Sequence, residues 1–318
     1  MKKKLLAIAL STIGAVGAVQ AGAVAQSSLQ ILGLTLFNAA NGTTLDASQF
    51  DLLQIVDTTN MNATVTPGGA TPFTNSTTGG APLPLTVVCF PVACPAGLTA
   101  PGPFGNATTP ATSNGALGAS QLQNAPITGL PTPYAGGVNA RTNAVAERVS
   151  NGTANTSSSL SVATQFSFST TNDLNVGIKF SAIDHLLAFL DSQTNAIAGS
   201  AWNVHITNHA TGADVFDWTP NGQAGGITGG VEVLDPCSLT RSLTAFGPSA
   251  NATYNCVGDF SATSGLLLAA NTYDLSITHQ NQANVLVNAV PEPSVLSLLG
   301  LALVGFGFTT RRNKSKAS

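Results

Sequence analysis

The chain has 318 residues, of which only 8% are charged, against about 25% in ordinary soluble proteins. Its 11 Lys and Arg are outnumbered by 14 Asp and Glu, and seven of the cations lie at the two ends, so that Arg141, Arg148, Lys179 and Arg241 alone serve the body of the chain. An acidic body without a basic stripe excludes nucleic acid and anionic membrane surfaces as partners; its polarity comes from Thr, Asn, Ser and Gln.

At the N-terminus, Lys2-Lys3-Lys4 precedes an apolar run, Leu5 to Val19, which is followed by small residues. This is the build of a secretory signal peptide, because the run is too short for a transmembrane helix. Cleavage fits after Ala21 (Val19-Gln20-Ala21) or after Ala25 (Ala23-Val24-Ala25). Alanine at both key positions favours the second site, giving a signal over residues 1–25 and a mature start at Gln26. Signal peptidase and the secretion machinery are the partners that this end requires.

Residues 26–289 form the expected ectodomain. Leu29–Phe37 and Leu52–Val56 read as strands, too few before Pro67 to make their own core. Twelve of the 17 prolines then fall between Pro67 and Pro133. Such frequent loss of N–H donors predicts a turn-rich insert over residues 67–135, with a strand only at Leu85–Phe90. Arg141–Val149 reads as two turns of helix.

Beyond it the apolar period is two. Leu160, Val162, Thr164, Phe166 and Phe168 form one stripe, and Leu174, Val176, Ile178, Phe180 and Ala182 another. Trp202, Val204 and Ile206 make a third, and Tyr273, Leu275, Ile277 and His279 a fourth. Alternation of this kind puts one face of each strand in a core and the other in water. His185–Asp191 reads as a buried strand, and shorter strands fit Ala213–Trp218, Val231–Leu234 and Val285–Val287. The fold class expected is an all-β sandwich.

The ectodomain holds four cysteines, Cys89, Cys94, Cys237 and Cys256. An even count in an oxidising compartment favours bridges, with three connectivities open. Neighbours in sequence suggest Cys89–Cys94 and Cys237–Cys256. The rival reading, a metal site, lacks the C-x2-C spacing of zinc knuckles.

The search for catalytic chemistry finds no nucleophile elbow, zinc-protease helix or phosphate loop. His205 and His209 sit four apart in a strand, about 13 Å, too far to share an ion. Asp191–Asn195 offers oxygens suited to calcium but lacks the glycine and distal glutamate of a calcium loop. Gly225–Gly230 opens no helix and reads as a strand-linking loop. Asp214 and Asp217 are the only local carboxylate pair that a hydrolase could use. Among the aromatics, Trp202 and Tyr273 belong to apolar stripes, whereas Trp218, beside Thr219-Pro220-Asn221-Gly222, is expected near a loop as a candidate glycan contact. No catalytic residue, metal or cofactor is assigned.

Residues 290–318 are built differently. Pro291-Glu292-Pro293 forms a stiff hinge, Val295–Phe308 is apolar and uncharged, and Arg311, Arg312, Lys314 and Lys316 form a basic stop. Ser294–Thr310 is 17 residues, roughly 25 Å as a helix and slightly short of a ~30 Å hydrocarbon core. The cations would hold the C-terminus on the cytoplasmic side. This order of parts resembles the PEP-CTERM sorting tail of Gram-negative bacteria. The resemblance implies a tail read by an exosortase, transient residence in the inner membrane, and export to the cell surface or to an extracellular polysaccharide matrix. It implies a structural, non-enzymatic role in exopolysaccharide, biofilm or floc cohesion. A lectin-like module binding glycan near Trp218 is the alternative, and a secreted hydrolase the remote one.

Overall fold

The computed structural model describes residues 22–66, 69–78, 82–91, 114–130, 136–190, 194–247 and 249–287. Within them the chain is nearly all strand. In order these are β1 (Ala23–Asn38), β2 (Phe50–Gln54), β3 (Val56–Val65), β4 (Ala70–Thr78), β5 (Leu83–Phe90) and β6 (Gly115–Gln123). β7 (Val138–Arg148), β8 (Gly152–Thr170), β9 (Leu174–Leu190), β10 (Thr194–Asn208) and β11 (Asp214–Trp218) follow. The last are β12 (Ile227–Thr228), β13 (Gly230–Leu234), β14 (Arg241–Gly247), β15 (Ala250–Leu267) and β16 (Tyr273–Val287). Among the described residues a single 3-10 turn, Ala47–Gln49, is capped by the Asp46 side chain.

The strands form two sheets packed as a sandwich. The first runs in the order β13-β15-β9-β1-β7-β6-β5, and the second β12-β11-β10-β16-β8-β3-β4, with β14 beside β10 and β2 beside β8. The expected stripes fall on β8, β9, β10 and β16 and face inward. Along β16 burial alternates almost residue by residue, from Tyr273 to Val287. His185–Leu190 is the buried end of β9.

Two expectations are corrected. Arg141–Val149 is not helical: Arg141–Arg148 belongs to β7, paired with β1 on one side and β6 on the other. Two ladders of backbone hydrogen bonds outweigh a helix propensity worth only tenths of a kcal/mol per residue. The Pro-rich segment also holds more strand than expected. β4 is the outermost strand of the path through the second sheet, so Pro72 withholds no donor from an inner ladder. Pro84 lies on the outermost strand of the first sheet, at a register shift between Leu83 and Thr86. β6 contains no proline at all. Prolines confined to edges and links leave the pairing intact.

The glycine-rich link carries the chain from β12 in one sheet to β13 in the other. Gly229 has φ +68, and a Cβ there would lie 2.0 Å from the Val215 carbonyl oxygen. Only glycine fits this crossing.

Strand β1 begins at Ala23, before the favoured processing site. Ala23, Val24 and Ala25 are buried, and Ala23 pairs with both Arg148 and Leu190. Cleavage after Ala25 would trim three paired residues from a central strand, whereas cleavage after Ala21 leaves the strand whole behind Gly22. N-terminal sequencing of the exported protein is therefore expected to read Gly22; a Gln26 start would show that β1 forms without those pairings.

Beside a small cluster of Cys89, Leu117, Ala119 and Val145, the core of the described residues is in two large compartments. One is aromatic, built around Phe166, Phe168, Phe180, Trp202, Trp218 and Phe260. The other is rich in alanine, with Ala25, Ala63, Ala146, Ala188 and Ala283 beside Met61 and Leu186. Between them runs a belt of buried polar side chains. Asn281 accepts from Thr142 and donates to Ser27 across the sheets, and Ser27 Oγ donates to the Gly199 carbonyl at 2.7 Å. Thr59 and Ser120 hydroxyls meet at 2.6 Å, and Ser158 Oγ donates to the Ala119 carbonyl at 2.8 Å. Paired in this way, buried hydroxyls and amides escape most of the penalty of desolvation.

Candidate functional site

The sorting-tail residues Pro291, Glu292, Pro293, Arg311, Arg312, Lys314 and Lys316 lie outside the described residues. The fold nevertheless fixes where the tail departs. Val287, the last residue of β16, pairs with Thr194, and Ala23, the first of β1, pairs with Leu190. Only residues 191–193 separate those two partners in sequence, so Ala23 and Val287 lie at the same end of the sandwich. The turns at residues 39–44 and 209–213 lie at the other end, where β1 and β10 finish.

Trp218 is not at a loop surface. Its side chain is fully buried, with its ring centroid 5.5 Å from that of Trp202 in an edge-on pair and 5.8 Å from that of Phe180. Its Nε1 donates to Glu232 Oε1 at 2.7 Å. Phe216 and Trp218 share the inward parity of β11, which outweighs the turn residues that follow. A ring without exposed face stacks on no sugar, so Trp218 is a core residue rather than a glycan contact.

Around it lies a carboxylate pair that sequence reasoning missed. Burial pushes the Glu232 carboxyl up, opposed by the Trp218 donor and reinforced by the neighbouring Asp235 carboxylate. Asp235 accepts from the backbone N–H groups of Asn221 at 2.9 Å and Gly222 at 2.8 Å. The pair thus ties β13 to the turn after β11.

Cys237 and Cys256 are joined in a disulfide spanning 19 residues, as their order in sequence suggests. Cys89 is also disulfide-bonded; Cys94, its expected partner, lies outside the described residues. The Cys237–Cys256 bridge pins the link between β13 and β14 to β15. Closing a loop of this length stabilises by about 3 kcal/mol in chain-entropy models. Changing both cysteines to alanine is expected to lower unfolding stability by roughly that amount, measured in urea, and an unchanged midpoint would show that the link is held by other contacts.

Opposite Cys256 stands Asp184, fully buried in β9. Its Oδ2 accepts from Ser200 Oγ of the other sheet at 2.6 Å, and its Oδ1 has no hydrogen-bond partner. Burial pushes its carboxyl up to about 7, against the opposing hydrogen bonds from Ser200 and the His185 backbone. The Tyr254 phenol is raised by burial and by Asp184, while the Arg241 guanidinium, 4.5 Å over the same ring, acts the other way. His279, also fully buried, is held down to about 3 by burial and is neutral at any physiological pH.

The candidate hydrolase pair does come together, around a histidine. His205 Nε2 lies 3.0 Å from Asp214 Oδ1, and its Nδ1 lies 3.7 Å from Asp217 Oδ2. The hairpin between β10 and β11 puts His205 opposite Asp217. His209 is engaged elsewhere, by Asp274 at 2.8 Å. These groups occupy the outer, solvent-facing side of the second sheet. The described residues contain no group of three or more His, Cys, Asp or Glu spaced to hold a metal ion. Of the calcium-like stretch, Asp191–Gln193 lies outside the described residues.

Among the described residues no helix is long and apolar enough to cross a membrane. No curated protein matches the chain. Chains from structures of two strains of infectious bursal disease virus share 13% identity with it. The Gt match covers 89% of this chain and 85% of its own at a TM-score of 0.11. The Gx match covers 92% and 89%, also at 0.11. A likeness that low carries no argument about fold or function. Against known families, residues 289–312 match the PEP-CTERM protein-sorting motif. The chain therefore carries at its C-terminus the tag of an exported, surface-directed protein whose processing partner is an exosortase.

Proposed function

We propose that the protein is a non-enzymatic structural component of the surface or extracellular matrix of a Gram-negative bacterium, acting in exopolysaccharide, biofilm or floc cohesion. The sorting motif over residues 289–312 is the observation that carries this reading. The position of the chain ends supports it. With Ala23 and Val287 at one end of the sandwich, a membrane-held tail would leave the turns at the other end pointing away from the membrane until it is processed. Three residues separate Val287 from Pro291, and the four peptide steps reach at most about 14 Å when extended, so the exosortase works close to the base of the sandwich.

The test separates delivery from role. Replacing Pro291, Glu292 and Pro293 with alanines in the producing cell should leave the protein unprocessed in the inner membrane, while wild type reaches the matrix fraction. If wild type and variant fractionate alike at full length, the sorting reading fails. If sorting holds, a strain lacking the protein should lose floc or biofilm cohesion; intact cohesion would overturn the structural role.

A further inference from the structure

The outer face of the second sheet is an uncharged lattice of amides and hydroxyls. In one row Asn60, Ser159 and Gln280 stand side by side on β3, β8 and β16, with Ala201 of β10 beyond them. In the next row the sequence is Asn62, Ser157, Gln282 and Gly199, with Ser242 of β14 beyond. A third row holds Thr64, Asn155 and Asn284. Parity puts all of these on the side away from the core, and Asn60, Asn62, Asn155, Ser157, Gln280 and Gln282 are exposed. The rows contain no Asp, Glu, Lys, Arg or His; the histidine–carboxylate groups of this face, His205 with Asp214 and Asp217 and His209 with Asp274, begin only beyond them, towards the tail-distal end. Strand geometry spaces neighbours about 4.8 Å apart across the sheet and about 6.7 Å apart along each strand.

The lattice also has a depression. Where β10 supplies only Gly199 and Ala201, a trough of about 270 Å³ opens, walled by Ser157, Ser159, Gln280 and Gln282. All of its lining residues belong to the second sheet. Gln282 leans over Gly199: a Cβ at that glycine would come within 3.0 Å of Gln282 Nε2. The small residues of β10 thus make the room, and the glutamines supply donors and acceptors at its edge.

We infer that this trough and the rows beside it bind an uncharged polysaccharide. The inference rests on the matrix reading for the source of the glycan, and on the face itself for the chemistry. Each carboxamide offers two donors and an acceptor, and each hydroxyl both roles, which is the complement of a polyol chain. The absence of charge leaves nothing to recognise a carboxylate, sulfate or phosphate, and the acidic body repels anionic polymers. A protein partner is the poorer fit, because stable protein interfaces rely on central Trp, Tyr or Arg anchors and these rows have none. The contact is polar and wet, with affinity drawn from many weak units along a chain.

Native-gel affinity electrophoresis of the exported protein, recovered from the producing cell, tests this with dextran, a soluble β-glucan and the acidic polymer alginate as probes. At least one neutral glucan should retard the protein, equally at low and high salt, and alginate should not. Gln280→Ala combined with Gln282→Ala should weaken retardation at least fivefold without changing the thermal midpoint. Thr253→Ala, on the outer face of the first sheet, should leave it unchanged. Retardation by neither glucan, retention by the double variant, or salt-sensitive binding to alginate would overturn the inference. So would a dimer in sedimentation that the double variant abolishes, which would make the face an interface between copies. The double variant should still be sorted normally, so loss of glycan binding and loss of delivery are read separately.

Discussion

Replacing Trp218 with alanine is expected to destabilise the fold by about 3–5 kcal/mol. The indole is fully buried and closes a cluster in which Phe180 packs 4.5 Å from Trp202 and 5.2 Å from Phe260, centroid to centroid. Its removal leaves a cavity at the meeting of both sheets and takes the donor from Glu232, whose carboxyl burial already pushes up. For a domain of this size the thermal midpoint should fall by on the order of 10 °C. Trp218→Phe keeps most of the ring and loses only the donor, and should cost about 1–3 kcal/mol. Any glycan binding should survive in the phenylalanine variant. An alanine variant as stable as wild type, yet unable to bind glucan, would instead return Trp218 to a surface role.

The misplacement of Trp218 shows how far the sequence is legible. Period-two stripes on β8, β9, β10 and β16 identify the sandwich because each long strand repeats the signal at least three times. β11 has only five residues, so its two inward rings, Phe216 and Trp218, compete with a turn signal of equal length. The polar belt was hidden for another reason. Ser158, Ser200 and Asn281 occupy inward parity, but their chemistry reads as surface, and what satisfies them comes from the opposite sheet. Asp184 is the extreme case, a charged residue type inside an apolar run. Its partner Ser200 becomes visible only once β9 and β10 face each other. The sorting motif was legible because its order of hinge, apolar rod and cations needs no tertiary context. The neutral lattice needed register: Asn60, Ser159 and Gln280 are far apart in the chain, and strand pairing alone makes them neighbours.

Asp184→Asn should change the pH dependence of stability strongly between about pH 4 and pH 7. In the folded protein the carboxyl is pushed up to about 7 by burial, whereas an unfolded aspartate ionises near 3.9. The folded state therefore holds the proton more tightly. The stability linked to this group is fully present below about pH 4 and is lost progressively as pH rises to about 7. A shift of about three units corresponds to roughly 4 kcal/mol as an upper figure. Asparagine keeps the shape, accepts from Ser200 and carries no charge. The variant should thus match wild type near pH 4 and exceed it by roughly 2–4 kcal/mol at pH 8. Glu232, raised in the same direction, and Asp46, lowered by hydrogen bonds from Ser48 and Thr128, contribute to both proteins and cancel in the difference. Tyr254 supplies a second readout. Burial and Asp184 together raise its phenol, so removing the carboxylate should bring phenolate formation to lower pH, followed by absorbance. Parallel urea midpoints for the two proteins from pH 4 to pH 8 would mean that Asp184 reaches water and that the belt is hydrated where the sheets meet.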